Sequence, residues 1–157
     1  MEYSLEFSER LIESADAVFH DYSDKDEAGR AILYLSCLSC EISLKALLES
    51  SGYTPAELRK HSHKLDELLN VVGSCKIEGT NQRATSIRSK EVVPNTANGT
   101  VGTLLESSLS GSSVYPNEIR YGEVVKHFPP EAMLNCAKVV NGWCKEHKGR
   151  LVRVANS

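Results

Sequence analysis

The stretch that decides the fold is Ala31-Ile-Leu-Tyr-Leu-Ser-Cys-Leu-Ser-Cys-Glu-Ile-Ser-Leu-Lys-Ala-Leu-Leu48, closed by Gly52. Ala31, Ile32, Leu35, Leu38, Ile42 and Ala46 recur at the three- and four-residue steps of a helix. Leu33, Tyr34, Cys37, Leu44 and Leu48 form a second apolar stripe on a different side. A helix apolar on two sides is either buried centrally or shared with a partner subunit. We read it as one long helix over 24–51, with Asp24 and Asp26 as capping candidates and Gly52 as the stop.

Outward from this helix the pattern stays helical. Before it, Leu11, Ile12, Ala15, Val18, Phe19 and Tyr22 define an inner face, and Glu2, Glu6, Glu9, Glu13 and Asp16 step along an acidic stripe. That stripe reads as a solvated face, with docking onto a basic partner as the alternative. After it, a helix is expected from Pro55 to Gly73, carrying Leu58, Leu65, Leu68, Leu69 and Val72 inward. Half of the residues from Ser74 to Ser113 are Ser, Thr, Gly or Asn, and Pro94 interrupts any regular pattern. A long loop over about 74–117 is therefore expected, with a short helix around Thr103 to Leu109. Pro129 and Pro130 open a last helix with Ala132, Met133, Cys136, Val139, Val140 and Trp143 on its core side, followed by a basic tail over 148–157.

The expected fold is therefore all-α: an up-and-down bundle of about four core helices in a single domain, its core spanning about 4–147. The chain has 157 residues, 41% hydrophobic and 25% charged, enough to bury a core without metals or disulfides. Net charge is −3, which excludes a strongly basic coat for nucleic acid. Residues 1–27 hold nine acidic side chains against two basic ones, so the remainder is net positive. An acidic start and the absence of an uninterrupted apolar run of spanning length argue for a cytoplasmic protein with no membrane segment. Five cysteines at irregular spacing fit reduced thiols.

Few motifs carry chemistry. Cys37-Leu-Ser-Cys40 lies mid-helix without a second pair at zinc spacing, so two buried thiols are the preferred reading. Glu41 and Lys45 are four apart in the order that favours an ion pair within one helix. His61 and His63 should face different surroundings, and no third ligand accompanies them, so neither a metal nor a cofactor is expected. Phosphate loops, nucleophile elbows and calcium loops are absent. What remains is Arg120-Tyr-Gly-Glu-Val-Val-Lys-His127, a permanently charged guanidinium seven residues before an imidazole. In one continuous helix these side chains would share a face about 10 Å apart, at 1.5 Å per residue.

The order of parts resembles the HEPN family: a long helix ending Leu44-Lys-Ala-Leu-Leu48, the Gly52 turn, His63-Lys-Leu65 with Leu68-Leu69, a variable loop and a final helix. The resemblance spans most of the chain. Family members that cleave RNA carry an Arg, four to six intervening residues and a His near the start of the last helix, as Arg120 and His127 do. It implies a metal-independent endoribonuclease of the toxin–antitoxin or phage-defence type, with an antitoxin or defence protein as partner. His127 would be acid or base and Arg120 the phosphate stabiliser, with Tyr121 and Lys126 as RNA contacts. It further implies a homodimer whose paired Arg and His residues meet in one cleft. Some toxin members have a Tyr two residues after the His; Pro129 stands there here, so regulation through that Tyr is not implied. Relatives without the motif act as binding modules, and a non-catalytic domain for RNA, a nucleotide or a protein is the competing expectation. A helical adaptor docking through Glu6, Glu9 and Glu13 is a third.

Overall fold

A computed structural model describes residues 1–22, 24–25, 27–93, 99–106, 115–120 and 129–154, with backbone only at Asn117, Glu118 and Arg120. The fold is all-α. Among the described residues there are seven helices: α1 (Leu5–Tyr22), α2 (Ala28–Ser50), α3 (Pro55–Arg59), α4 (Leu65–Ser74), α5 (Val101–Glu106), α6 (Tyr115–Arg120) and α7 (Pro130–His147). One two-stranded antiparallel ribbon joins β1 (Lys76–Ile77) to β2 (Leu151–Val152), pairing Lys76 with Val152 and Ile77 with Leu151.

The long helices α1, α2 and α7 pack on one another, and α4 and α6 pack on α2. The second apolar stripe of α2 is buried within the chain at Leu33, Cys37, Leu44 and Leu48, whereas the first is buried at Ile32 and Ala46 and only partly covered at Ala31, Leu35, Leu38 and Ile42. By length and composition α2 could cross a membrane, but Glu41 and Lys45 interrupt its apolar run and 72% of that stretch is buried inside the domain. Between α1, α2 and α7 lies a patch of core that is small and polar. Ser8 Oγ donates to the Ser39 carbonyl at 2.9 Å, and Asn141 Nδ2 donates to the Leu5 carbonyl at 3.2 Å. Small side chains at these positions let the backbones come close, and the Ser8 hydroxyl bonds with those of Ser39 and Ser43.

Several boundaries differ from the sequence reading, each for a local reason. The second helix starts at Ala28 rather than Asp24, after Glu27 takes a left-handed backbone (φ 70°); Asp26 lies outside the described residues. The helix expected from Pro55 to Gly73 is two helices, because Ser62 turns left-handed (φ 51°) between them. Thr54 starts the first with a reciprocal Thr54–Glu57 capping box. The stretch expected as a loop over 74–117 holds β1, a 3₁₀ turn at Ala84–Ser89, α5 and α6. Its polar composition conceals widely spaced anchors: Ile77, Ala84, Ile87, Val92, Val101, Leu104 and Leu105 are all buried. Gly102 lets the two segments pack closely there, since a Cβ would meet the Arg88 carbonyl oxygen at 3.2 Å and the backbone would have to give by a few tenths of an ångström. Residues 94–98 and 107–114, which include the far end of the helix expected to reach Leu109, lie outside the described residues.

Charges placed on opposite poles by the sequence meet in the fold. Glu9 pairs with Lys145 at 2.6 Å, Asp16 with Lys138 at 2.9 Å and Glu2 with Arg59 at 3.0 Å. Much of the acidic stripe thus faces basic residues of its own chain, through half-exposed, solvent-screened pairs that add little to stability. The basic tail is also engaged. Arg153 lies 4.1 Å from the Tyr53 ring centre and its Nη1 donates to Glu57 Oε1 at 3.0 Å.

The Arg153 hydrogen bond, with the Thr54 backbone amide, lowers the Glu57 carboxyl from 4.5 to about 2. A depressed carboxyl stabilises the fold above its unfolded value and loses that contribution as pH falls through its folded value. The difference in melting temperature between wild type and Arg153→Ala is therefore expected to be full at pH 6 and to shrink between pH 4.5 and about 2. Thermal unfolding across that range checks it; a difference that persists unchanged at pH 2 would show that Arg153 acts through packing on Tyr53 alone.

Candidate functional site

The sequence motif begins at the end of α6. This helix has only six residues, far too few to be stable alone, so its position is set by what holds it. At its first residue the Tyr115 ring is buried and its hydroxyl donates to Glu41 Oε1 on α2 at 2.6 Å. Toward its other end, Arg30 Nε on α2 donates to the Ile119 carbonyl at 3.1 Å. Helix α6 therefore lies along α2 from Glu41 back toward Arg30, and its final residue, Arg120, falls beside the first turns of α2. Helix α7 starts at the same place: a Cβ on Gly29 would come within 3.3 Å of Pro130 Cγ. The residues between these two ends include Tyr121, Lys126 and His127, which lie outside the described residues, as does the Arg120 side chain. Of the four residues singled out by the motif, only the backbone of Arg120 is thus located.

The groove beside this junction is mainly apolar, lined by Ala31, Tyr34, Leu35 and Ile119, with Glu27 and Arg30 at its edge. Arg30 Nη1 also meets Glu27 Oε2 at 2.7 Å. Ala31, Tyr34 and Leu35, one flank of the α2 apolar stripe, are only partly buried.

Glu41 is the centre of a polar cluster that sequence reasoning only half found. Lys45 Nζ donates to Glu41 Oε2 at 3.0 Å, as the four-residue spacing implied, but the pair is not on a surface: both side chains are 5% exposed. His63 Nδ1 lies 2.7 Å from Glu41 Oε1, the oxygen that also accepts from Tyr115. The Lys45 ammonium also lies 5.4 Å from the centre of the Tyr3 ring. Among the described residues of the cluster, His63 is the most open to solvent: its side chain is 51% exposed and its ring stands edge-on to Tyr115. One carboxylate thus links α2, the α3–α4 turn and α6. Burial, and then the Glu41 charge and hydrogen bond, push the Tyr115 phenol far above its usual range, so it remains a hydrogen-bond donor at any working pH.

The other candidates fall into structural places. All five cysteines are buried free thiols. Burial raises Cys37 further above the thiol range, with Cys40 and Glu41 adding to it, so this residue is a poor nucleophile or metal ligand. His61 Nδ1 pairs instead with Glu67 Oε2 at 3.1 Å, so the two histidines do face different surroundings. Among the described residues no group of three or more His, Cys, Asp or Glu side chains is arranged to hold a metal ion.

The signal for the Glu41 cluster was present in the sequence. A Glu and a Lys in the middle of a run otherwise made of Leu, Ile, Ala, Ser and Cys can hardly both reach water from a central helix. Tyr115 gave no such signal, because the segment before it has no periodicity to place it. Compared with known proteins, the chain matches no family model, no curated protein and no solved structure.

Proposed function

We propose that this chain is a HEPN-type domain that cleaves RNA without a metal ion, as a cytoplasmic toxin or phage-defence endoribonuclease. Its up-and-down helical bundle would be the scaffold, with α1, α2, α7 and the shorter α4 as the core helices. In this reading His127 exchanges a proton with the ribose 2′-hydroxyl or the leaving 5′-oxygen, and Arg120 stabilises charge building on the phosphate. The 2′-oxygen attacks phosphorus, the bond from phosphorus to the 5′-oxygen breaks, and the proton lost by the first oxygen is balanced by one gained by the second. Tyr121 and Lys126, on the same connection, contact the RNA. A second copy of the chain completes the cleft, and an antitoxin or defence protein restrains it.

The observation that carries this reading is the α6–α7 junction. Arg120 ends a short helix anchored at both ends on α2, and α7 starts against the same turns of α2. The described end of α6 and the start of α7 are therefore both held against the first turns of α2. The partly covered flank of α2 at Ala31, Tyr34 and Leu35 supports a second copy beside it. The test is sedimentation equilibrium together with cleavage of tRNA and structured RNA in the presence of chelator. A dimer that cleaves supports the proposal. A monomer, or a protein that retains RNA without cleaving it, favours the binding module.

A further inference from the structure

We infer that Glu41 is a positioning residue for Arg120, acting through Tyr115 and the short helix between them. This rests on the ribonuclease reading and extends it to a residue on a different helix, outside the Arg–His motif. Six residues of helix cannot hold their own geometry in water, so the direction in which α6 delivers Arg120 depends on its anchors. The Tyr115–Glu41 bond is the anchor at the far end of α6 from Arg120. It is short, buried and made to a charged acceptor, which places it among the stronger hydrogen bonds. Glu41 is itself constrained. Lys45 fixes its second carboxylate oxygen and His63 shares the first, so the acceptor cannot swing to follow a displaced α6. The ring of Tyr115 is further held edge-on by Tyr34 and His63.

A carboxylate and an ammonium buried together seldom increase stability over apolar residues of the same volume. Their presence in the central helix is accounted for if the carboxylate must stay charged and fixed to receive Tyr115. A phosphate-stabilising guanidinium is sensitive to such placement, because displacements near 1 Å can cost about 100-fold in rate.

The experiment compares full-length wild type, Tyr115→Phe and Glu41→Gln by steady-state cleavage of a structured RNA in chelator and by amide hydrogen exchange. Tyr115→Phe keeps the ring and removes only the hydroxyl; Glu41→Gln keeps the shape and removes the charge. Both variants are expected to lose about 10- to 100-fold in kcat with KM nearly unchanged. In Tyr115→Phe, which leaves the Glu41–Lys45 pair intact, amides of α6 should exchange about tenfold faster while those in the middle of α7 keep their protection; Glu41→Gln, which also strands the Lys45 charge, is read from the kcat of its folded fraction. A merely structural role would instead speed exchange throughout and leave kcat of the folded fraction intact. If wild type cleaves and Tyr115→Phe cleaves equally well, or if α6 exchange is unchanged in Tyr115→Phe, the inference is overturned and the ribonuclease reading stands. If wild type itself does not cleave, the ribonuclease reading fails and the role assigned to Glu41 fails with it.

Discussion

Glu41→Ala is expected to cost about 3–5 kcal/mol of folding stability, the range for breaking a buried ion pair by removing one partner. The substitution leaves the Lys45 ammonium buried without its carboxylate and takes the acceptor from both Tyr115 and His63. Most of the loss is desolvation left uncompensated, not the worth of the pair itself. A double replacement shows the difference: Glu41→Ala with Lys45→Met removes the stranded charge and is expected to be more stable than Glu41→Ala alone. Urea unfolding of the single and double variants, analysed as a double-mutant cycle, measures that coupling. A loss under about 1 kcal/mol for Glu41→Ala would mean that water reaches the cluster and that the pair behaves as an exposed one.

The helical class and the central place of α2 were legible because burial on two sides writes two stripes into one run. The start of α7 was legible from Pro129 and Pro130, since proline suits a first helical turn and little else within a helix. What escaped notice depended on single residues or distant ones. Ser62 breaks α3 from α4 by adopting a left-handed backbone, a conformation that Gly or Asn would have advertised and Ser does not. In 74–106 the anchoring residues are too far apart to make a period, so composition pointed to a loop although Ile87, Val101 and Leu105 are wholly buried. The acidic face of α1 looked solvated because Lys138 and Lys145 stand more than a hundred residues away in sequence.

The candidate site was legible to a different depth. Arg120 and His127 drew attention through their spacing together with the family resemblance of the order of parts, and the pairing of Glu41 with Lys45 followed from helix geometry. That this pair would be buried, and would receive Tyr115 and His63, depended on tertiary packing of three separate segments. The anchoring of α6 is therefore a product of the fold. It changes how the motif is understood: Arg120 is delivered by a helix whose first residue is bonded to the most buried charge cluster described in the molecule.

The most direct measurement is the rate of RNA cleavage in chelator by wild type, Arg120→Ala and His127→Ala, with circular dichroism confirming that all three are folded. Removing a proton-transfer group or a group that stabilises transition-state charge is expected to lower the rate about 10²- to 10⁴-fold in each variant. Circular dichroism that matches wild type in both variants separates a loss of chemistry from a loss of fold. Cleavage by wild type with loss in both variants is the result the ribonuclease reading requires. Equal cleavage by all three, or none by wild type, would contradict it.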